Sequence, residues 1–339
     1  MNKIRVNMVS ESDVSVQGHG VHTAYIELAE ALEKRDDIEL IRSSFGQVVN
    51  CDIIHLHTIG PRTWRKLFQK GPKKVISAHI VPASFVGSIV LAKYWQFAAR
   101  WYMQWFYNRA DKVLAVSETV AHVLRDQLNV PEEKIQTFYN SIDMKRYSTT
   151  ENERQQARMM LNLDASAFIV VGDGQVQPRK RLDIFVTMAL SLPDVTFIWV
   201  GGIPFKNLGA DYAAMQRLME SAPRNLLITG IVDHEKIRDY LAAANVFCLP
   251  AEQENHPMCV LEAAGAGLPI ILRDIPEYND TFGHDAWRCN DDEFVGAVAR
   301  LRDDKGKYQT YQQGAAAIAE RYDSSVAADR LVKLYLQMV

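Results

Sequence analysis

Short apolar runs recur along the chain, each followed by a polar or glycine-bearing loop and then by a stretch of helical period. Ile4 to Val9 reads as a strand, and Val21 to Glu33 places Ala24, Leu28, Ala31 and Leu32 on one helix face. Asp52 to Leu56, Val75 to Ser77 and Leu114 to Ser117 continue the strands, the last leading into a helix from Glu118 to Leu128. Asn140 to Glu153 turns polar and reads as a linker. A second series follows at Phe168–Val171, Val195–Val200, Leu226–Thr229, Val246–Leu249 and Ile270–Leu272. A helix from Met258 to Ala266 lies between the last two, and Val326 to Met338 reads as an amphipathic helix. Strands alternating with helices predict parallel sheets. Two such series predict an α/β protein of two facing domains with a cleft, residues 1–148 and 149–324, and a helix over 325–339 packing back on the first.

Composition narrows this little. A chain of 339 residues with 48% hydrophobic and 23% charged residues suits two ordinary domains, each able to bury a core. No run of 18 apolar residues is present, so no bilayer span is expected, and MNKIRVNMVS reads as a strand start rather than a signal peptide. The four cysteines, Cys51, Cys248, Cys259 and Cys289, show neither metal nor disulfide spacing, which favours a reducing cytoplasm. Charge is unevenly placed. Residues 1–150 hold 19 Lys and Arg against 15 Asp and Glu, a net +4, and residues 151–339 hold 19 against 26, a net −7. The halves therefore suit different partners, and no nucleic acid is expected among them.

Candidate chemistry gathers in the loops after the strands, where parallel sheets bind ligands. Gly18-His19-Gly20 lies before the first helix, but a dinucleotide motif fails because Thr23 occupies the third glycine position. The loop GDGQVQPRKRLD holds Gly174, Gln175, Arg179, Lys180 and Arg181 before a helix; glycine N–H groups and cations there suit a diphosphate, and a solvated helix start is the plain alternative. Glu254 and Glu262 stand eight apart, one in a loop and one inside the following helix. His55 and His57 share a strand face, but zinc would need a third ligand and none is evident nearby. His57, His79 and Ser117 fall at or just past strand ends. Asp291-Asp292 and Asp303-Asp304 read as helix caps rather than metal ligands.

Two segments of the first half stand apart. Residues 62–74 interleave Arg62, Arg65, Lys66, Lys70, Lys73 and Lys74 with Trp64, Leu67 and Phe68. Residues 82–109 are aromatic-rich, with Phe85, Tyr94, Trp95, Phe97, Trp101 and Trp105 among them. Basic and aromatic residues together fit an anionic bilayer interface. A solvated charged face for the first segment and a core helix for residues 94–109 are the alternatives.

The residues so far resemble a known family, the retaining glycosyltransferases of family 4. The resemblance covers essentially the whole chain and rests most on Glu254 and Glu262, an E-x7-E pair set in ENHPMCVLE and followed by AAGAGLPIIL. The spacing from Gly174 to Lys180 is similar too. Departures are Gln175 where the family usually has Arg, Arg181 where it usually has Gly, and Asn255-His256-Pro257 in place of a glycine-rich loop. The HLHT run at 55–58, the His79 to Ser88 segment, FIWVGG and ILRD resemble bacterial glycosyl-diacylglycerol synthases in particular.

The resemblance implies a GT-B fold of two facing Rossmann-like domains. It implies transfer of glucose or galactose from a UDP-sugar to a membrane glycolipid with an α bond, without metal or other cofactor. It places Gly18, Gly20, Gly174, Gln175, Arg179 and Lys180 at the diphosphate and Glu262 at the ribose. Ile231 would serve the base, Glu254 the donor sugar, and His79 would lie by the reacting sugar. Gly202, His256, Met258 and Cys259 complete the expected donor wall, with Glu254, Lys180 and His79 as the catalytic set. Arg62, Trp64, Arg65, Lys66, Lys70, Phe85 and Trp95 form the expected acceptor and membrane side of a peripheral enzyme on the inner face of the cell membrane. A family-4 enzyme with a soluble or polysaccharide acceptor is the alternative. A nicotinamide oxidoreductase and a non-enzymatic membrane module are more distant readings.

Overall fold

The computed structural model describes residues 3–13, 20–42, 47–85, 92–203 and 211–339, leaving aside the side chains at 13, 83, 85 and 92–96. The chain divides into two compact units, one of Met1–Phe85, Lys93–Asp143 and Tyr322–Val339, the other built on Met144–Arg321.

The first unit carries six strands: β1 (Ile4–Val9), β2 (Ile38–Arg42), β3 (Ile53–Leu56), β4 (Lys73–Ala78), β5 (Lys112–Ala115) and β6 (Ile135–Thr137). All pair in parallel, in the order β2-β1-β3-β4-β5-β6. Alternation along the strands divides the apolar residues between two faces. Val6, Met8, Ile53, Val75 and Leu114 join one core with Tyr25, Leu28 and Leu32 of the helix Gly20–Glu33. The last helix, Ser324–Met338, adds Leu331 and Tyr335 to that same core. On the other face Ile54, Leu56, Ile76 and Ala115 meet Met103, Phe106 and Tyr107 of the helix Ala92–Tyr107.

The second unit repeats the plan with β7 (Ile169–Asp173), β8 (Thr196–Val200), β9 (Leu226–Ile228), β10 (Val246–Leu249), β11 (Ile270–Arg273) and β12 (Trp287–Cys289). These strands are also parallel, in the order β9-β8-β7-β10-β11-β12. Counted within the unit this is 3-2-1-4-5-6, the doubly wound order. Phe185 packs its edge on Trp199 at 4.9 Å in the middle of the core.

Both orders have a switch point where the connections change direction, between β1 and β3 and between β7 and β10. Ligands of such sheets bind beyond the strand ends at that point.

Three strands were not anticipated: β2, β6 and β12. Each is a sheet edge with half-exposed residues, such as Glu39 in IELIR or Gln136 in IQT, so no apolar run marks it. The polar segment 140–153 spans the division between the two units. It holds the short helix Met144–Tyr147 and the start of Glu151–Met160, which Thr150 and Glu153 close with reciprocal capping hydrogen bonds. No helix among the described residues is long and apolar enough to cross a membrane.

Candidate active site

The switch point of the second unit brings together the loops after β7 and β10. Gly174 turns away from β7 at φ +152°, and a Cβ there would press on the Lys180 side chain at 3.2 Å. A single turn, Pro178–Lys180, then presents its cations inward. Lys180 is buried and its Nζ lies 2.6 Å from Glu254 Oε1. Arg179 Nη1 donates to the same oxygen at 3.1 Å and to the carbonyl of Gln253 at 3.0 Å. The backbone agrees, since Glu252 N donates to Arg179 O at 2.8 Å. Burial alone would raise the Glu254 carboxyl, but the charges of Lys180 and Arg179 together hold it below its ordinary value. Asp173, between the two glycines of the loop, is pushed up to about 6 by burial, against the pull of Lys180.

Arg181 explains one departure from the family pattern. It adopts φ 56° and ψ 50°, the left-handed region that glycine enters freely. Its guanidinium holds the turn by pairing with Asp183, Glu252 and Asp291. Asp291 also pairs with Arg273, so it ties two loops together rather than capping a helix. Asp304 does cap one, accepting from Lys307 N at 3.0 Å. Gln175 accepts from Gln177 Nε2 at 3.0 Å and adds no charge where the family's arginine would stand.

The helix Met258–Gly265 follows β10, and no side chain caps its N-terminus at Pro257. Its first N–H groups are therefore aligned toward an anion-binding position. Cys259 is buried with its thiol pushed well up by burial, so it acts as packing and not as a nucleophile. Glu262 is buried one face inward, 3.3 Å from the Tyr147 hydroxyl and 3.7 Å from His234 Nε2. His256 is buried and stacks flat on Phe282, with centroids 5.4 Å apart. Gly202 follows β8 so closely packed that a Cβ would reach Ile231 N at 2.9 Å. Ile231 itself is exposed after the left-handed Gly230. Tyr147 and His234 are not candidates from sequence, and Asp173 enters there only as part of the glycine loop. Asp173 stands in plain sight between two glycines, whereas Tyr147 lies 115 residues from Glu262 and only folding joins them.

At the switch point of the first unit two histidines are held neutral, and the Glu11 side chain accepts from Arg62 N at 2.6 Å and Thr63 N at 2.8 Å. Gly20 opens the helix Gly20–Glu33, while Gly18 lies outside the described residues. His55, in β3, is held by Tyr335 Oη at 2.7 Å and by Ser77 Oγ at 2.9 Å. His57 Nδ1 lies 3.1 Å from His79 Nε2, just past β4. Burial holds His55 down at about 3 and His57 well below the ordinary histidine value, the neighbouring imidazoles adding to both effects. Ser117 is used locally, accepting from Val120 N as a helix cap. No three His, Cys, Asp or Glu groups among the described residues gather as a metal site.

The basic and aromatic segments make one surface. The helix Ala92–Tyr107 buries Met103, Phe106 and Tyr107 and exposes Phe97 (83%) and Trp101 (65%), so it is both a core helix and an exposed one. Trp105, partly buried, stacks 6.2 Å from Trp64 and is covered by Arg109 at 4.1 Å. Trp64 meets Phe68 at 4.8 Å, and Arg62, Arg65, Lys70 and Lys73 are exposed around them. Lys66 does not belong to this face. It points inward, buried, and donates to Gln47 O at 2.8 Å, because its turn of the helix Pro61–Lys66 faces the sheet. The side chains of Phe85 and Trp95 lie outside the described residues.

A pair of Rossmann-like domains, with cations and carboxylates at the switch point of the second, defines a glycosyltransferase of the GT-B fold. Two family models match the chain, "Glycosyltransferase Family 4" over residues 34–146 and "Glycosyl transferases group 1" over 165–304. The chain is 35% identical over 279 residues to the alpha-galactosylglucosyldiacylglycerol synthase of Streptococcus pneumoniae, covering 81% of this chain and 74% of that one. It is 25% identical to the processive diacylglycerol alpha-glucosyltransferase of Acholeplasma laidlawii, covering 69% of each. Among solved structures, Anabaena HepE in complex with UDP and glucose has the same fold, with a TM-score of 0.78, 17% identity, and 98% of this chain matched to 99% of that one. The chain belongs to glycosyltransferase family 4.

Proposed function

We propose that this glycosyltransferase moves glucose or galactose from a UDP-sugar to a membrane glycolipid such as a glycosyl-diacylglycerol, with an α bond. The observation that carries the donor half is the buried cluster of Lys180, Arg179 and Glu254 at the β7/β10 switch point. Breaking the bond from sugar to diphosphate builds negative charge on the leaving group. Lys180, Arg179 and the first N–H groups of Met258–Gly265 are preorganised for that charge. Both cations share Glu254 in this structure, so an incoming diphosphate competes with that carboxylate for them. Glu254 then has acceptor oxygens to offer the sugar hydroxyls, and Glu262, held by Tyr147 and His234, offers its carboxylate to the ribose. Membership of family 4 supports a departing phosphate that serves as base for the acceptor hydroxyl, with His79 orienting the reacting groups. The names of both glycolipid-synthesising relatives support the acceptor class.

The exposed Phe97, Trp101, Trp64 and Phe68, with Arg109 on the Trp105 ring and exposed Arg62, Arg65, Lys70 and Lys73 in the same two segments, support work at an anionic membrane surface on the cytoplasmic side. The test is UDP release from UDP-glucose and UDP-galactose, with and without micelles containing glycosyl-diacylglycerol. Release that rises with the glycolipid is expected. Release that rises only with a soluble sugar or polysaccharide would replace the lipid acceptor. Sedimentation with anionic vesicles should weaken with salt, and binding indifferent to salt and lipid charge would count against the membrane face.

A further inference from the structure

We propose that His57 is a positioning residue: through its Nδ1–H it fixes His79 as the tautomer that carries its proton on Nδ1. The two rings lie 3.1 Å apart, from His57 Nδ1 to His79 Nε2. A bond between two neutral imidazoles needs one proton, on one or the other of these nitrogens. The rest of the His57 ring decides which. Its Nε2 is buried and has no hydrogen-bond partner among the described residues. A buried N–H without an acceptor is rarer and more costly than a bare lone pair, so the proton belongs on Nδ1. His57 then donates and His79 Nε2 accepts, which leaves the His79 proton on Nδ1.

The neighbours keep His57 in that state. His55, 4.4 Å away ring to ring, is clamped by Tyr335 and Ser77, and Tyr25 covers the edge of His57 at 5.4 Å. Among the described residues His79 itself also faces His57. Burial among these rings keeps His57 uncharged, so the direction of the bond does not change near neutral pH. His79 therefore carries an N–H, not a lone pair, at the nitrogen turned away from His57. That suits holding a sugar or acceptor oxygen and does not suit taking a proton from one. The inference rests on the reading of His79 as the group that orients the reacting sugars.

Nitrogen-15 spectra of the full-length chain, with histidine labelled, report tautomers directly. The expected result is the Nδ1–H form for both His57 and His79 at neutral pH, with His79 moving to a mixture of forms in His57→Leu. An Nε2–H or charged His79, or a His79 tautomer unchanged in His57→Leu, would overturn the proposal. Kinetics supply a second readout. His57→Leu should lower kcat by roughly ten- to a hundred-fold, the range for partners that orient a metal-bound imidazole, with UDP affinity little changed. His57→Asn, whose amide nitrogen overlays Nδ1, should recover most of that loss, and His57→Gln, whose nitrogen overlays Nε2, should not. Equal activity of the Asn and Gln variants would also overturn it. His79→Ala with unchanged kcat would remove His79 from the reaction while leaving the tautomer assignment to the spectra.

Discussion

The two switch points share an architecture and differ in their electrostatics. Beyond β7 and β10 lie two cations, a carboxylate held ionised between them and a second carboxyl raised to about 6. In β3 and just past it lie His55 and His57, which burial keeps neutral, and His79 meets His57 from the end of β4. The second unit thus gathers cations and carboxylates at its sheet end, whereas the first lines the end of β3 with uncharged imidazoles and engages Glu11 with the Arg62 and Thr63 backbone. The cation-bearing end suits a ligand whose charge grows during reaction. The imidazole-lined end suits the placement of neutral hydroxyls.

The sharpest way to break that contrast is to remove charge from the second unit. Lys180→Ala should lower kcat by about a hundred- to a thousand-fold, as loss of one preorganised donor at a developing anion does, and a loss under about tenfold would put the leaving group elsewhere. Steady-state UDP release measures it.

Acid should separate the units by sign. His55 binds its proton at about 3 when folded, and His57 well below its ordinary value, against 6.5 for the free side chain. Their contribution to stability is whole above pH 6.5 and is lost as pH falls below it, by up to about 1.4 kcal/mol per pH unit for each histidine. Asp173 acts the other way. Its folded value of about 6 lies above the ordinary 3.8, so acidification between those values stabilises the second unit. Hydrogen exchange from pH 7.5 to 5 should show protection falling in β3 and β4 and holding in β7. Parallel loss in both would contradict the assignment.

The smallest effect concerns Arg181. Its left-handed backbone costs about 1 kcal/mol, and its exposed ion pairs return less than that each. Arg181→Gly should therefore sit near the parent in Tm, with Arg181→Ala below both, because alanine keeps the strain and loses the pairs. Equal Tm for the Gly and Ala variants would remove strain from the picture.

Much of this was legible in the residues. Central strands are buried on both faces and announce themselves as apolar runs, as VFCL and IILR do. The edges β2, β6 and β12 carry exposed or half-buried residues and do not. Glu254, Lys180 and Glu262 stood out because glycine turns and a helix start flank them in sequence. Their partners did not: Tyr147 and His234 reach Glu262 only through the fold. Lys66 reads as part of the basic face because a basic stretch of sequence does not reveal which turn of its short helix faces the sheet. His57 looked like half of a metal pair, and only its neighbours turn it into a hydrogen-bond partner of His79.

The central claim is that the charged switch point drives retaining transfer from a UDP-sugar to a glycolipid. Proton NMR of the product formed from UDP-glucose or UDP-galactose and a glycosyl-diacylglycerol tests it most directly. The account predicts an α-linked sugar on the lipid, with one UDP released per bond. A β-linked product, or UDP released without any glycosylated lipid, would contradict it.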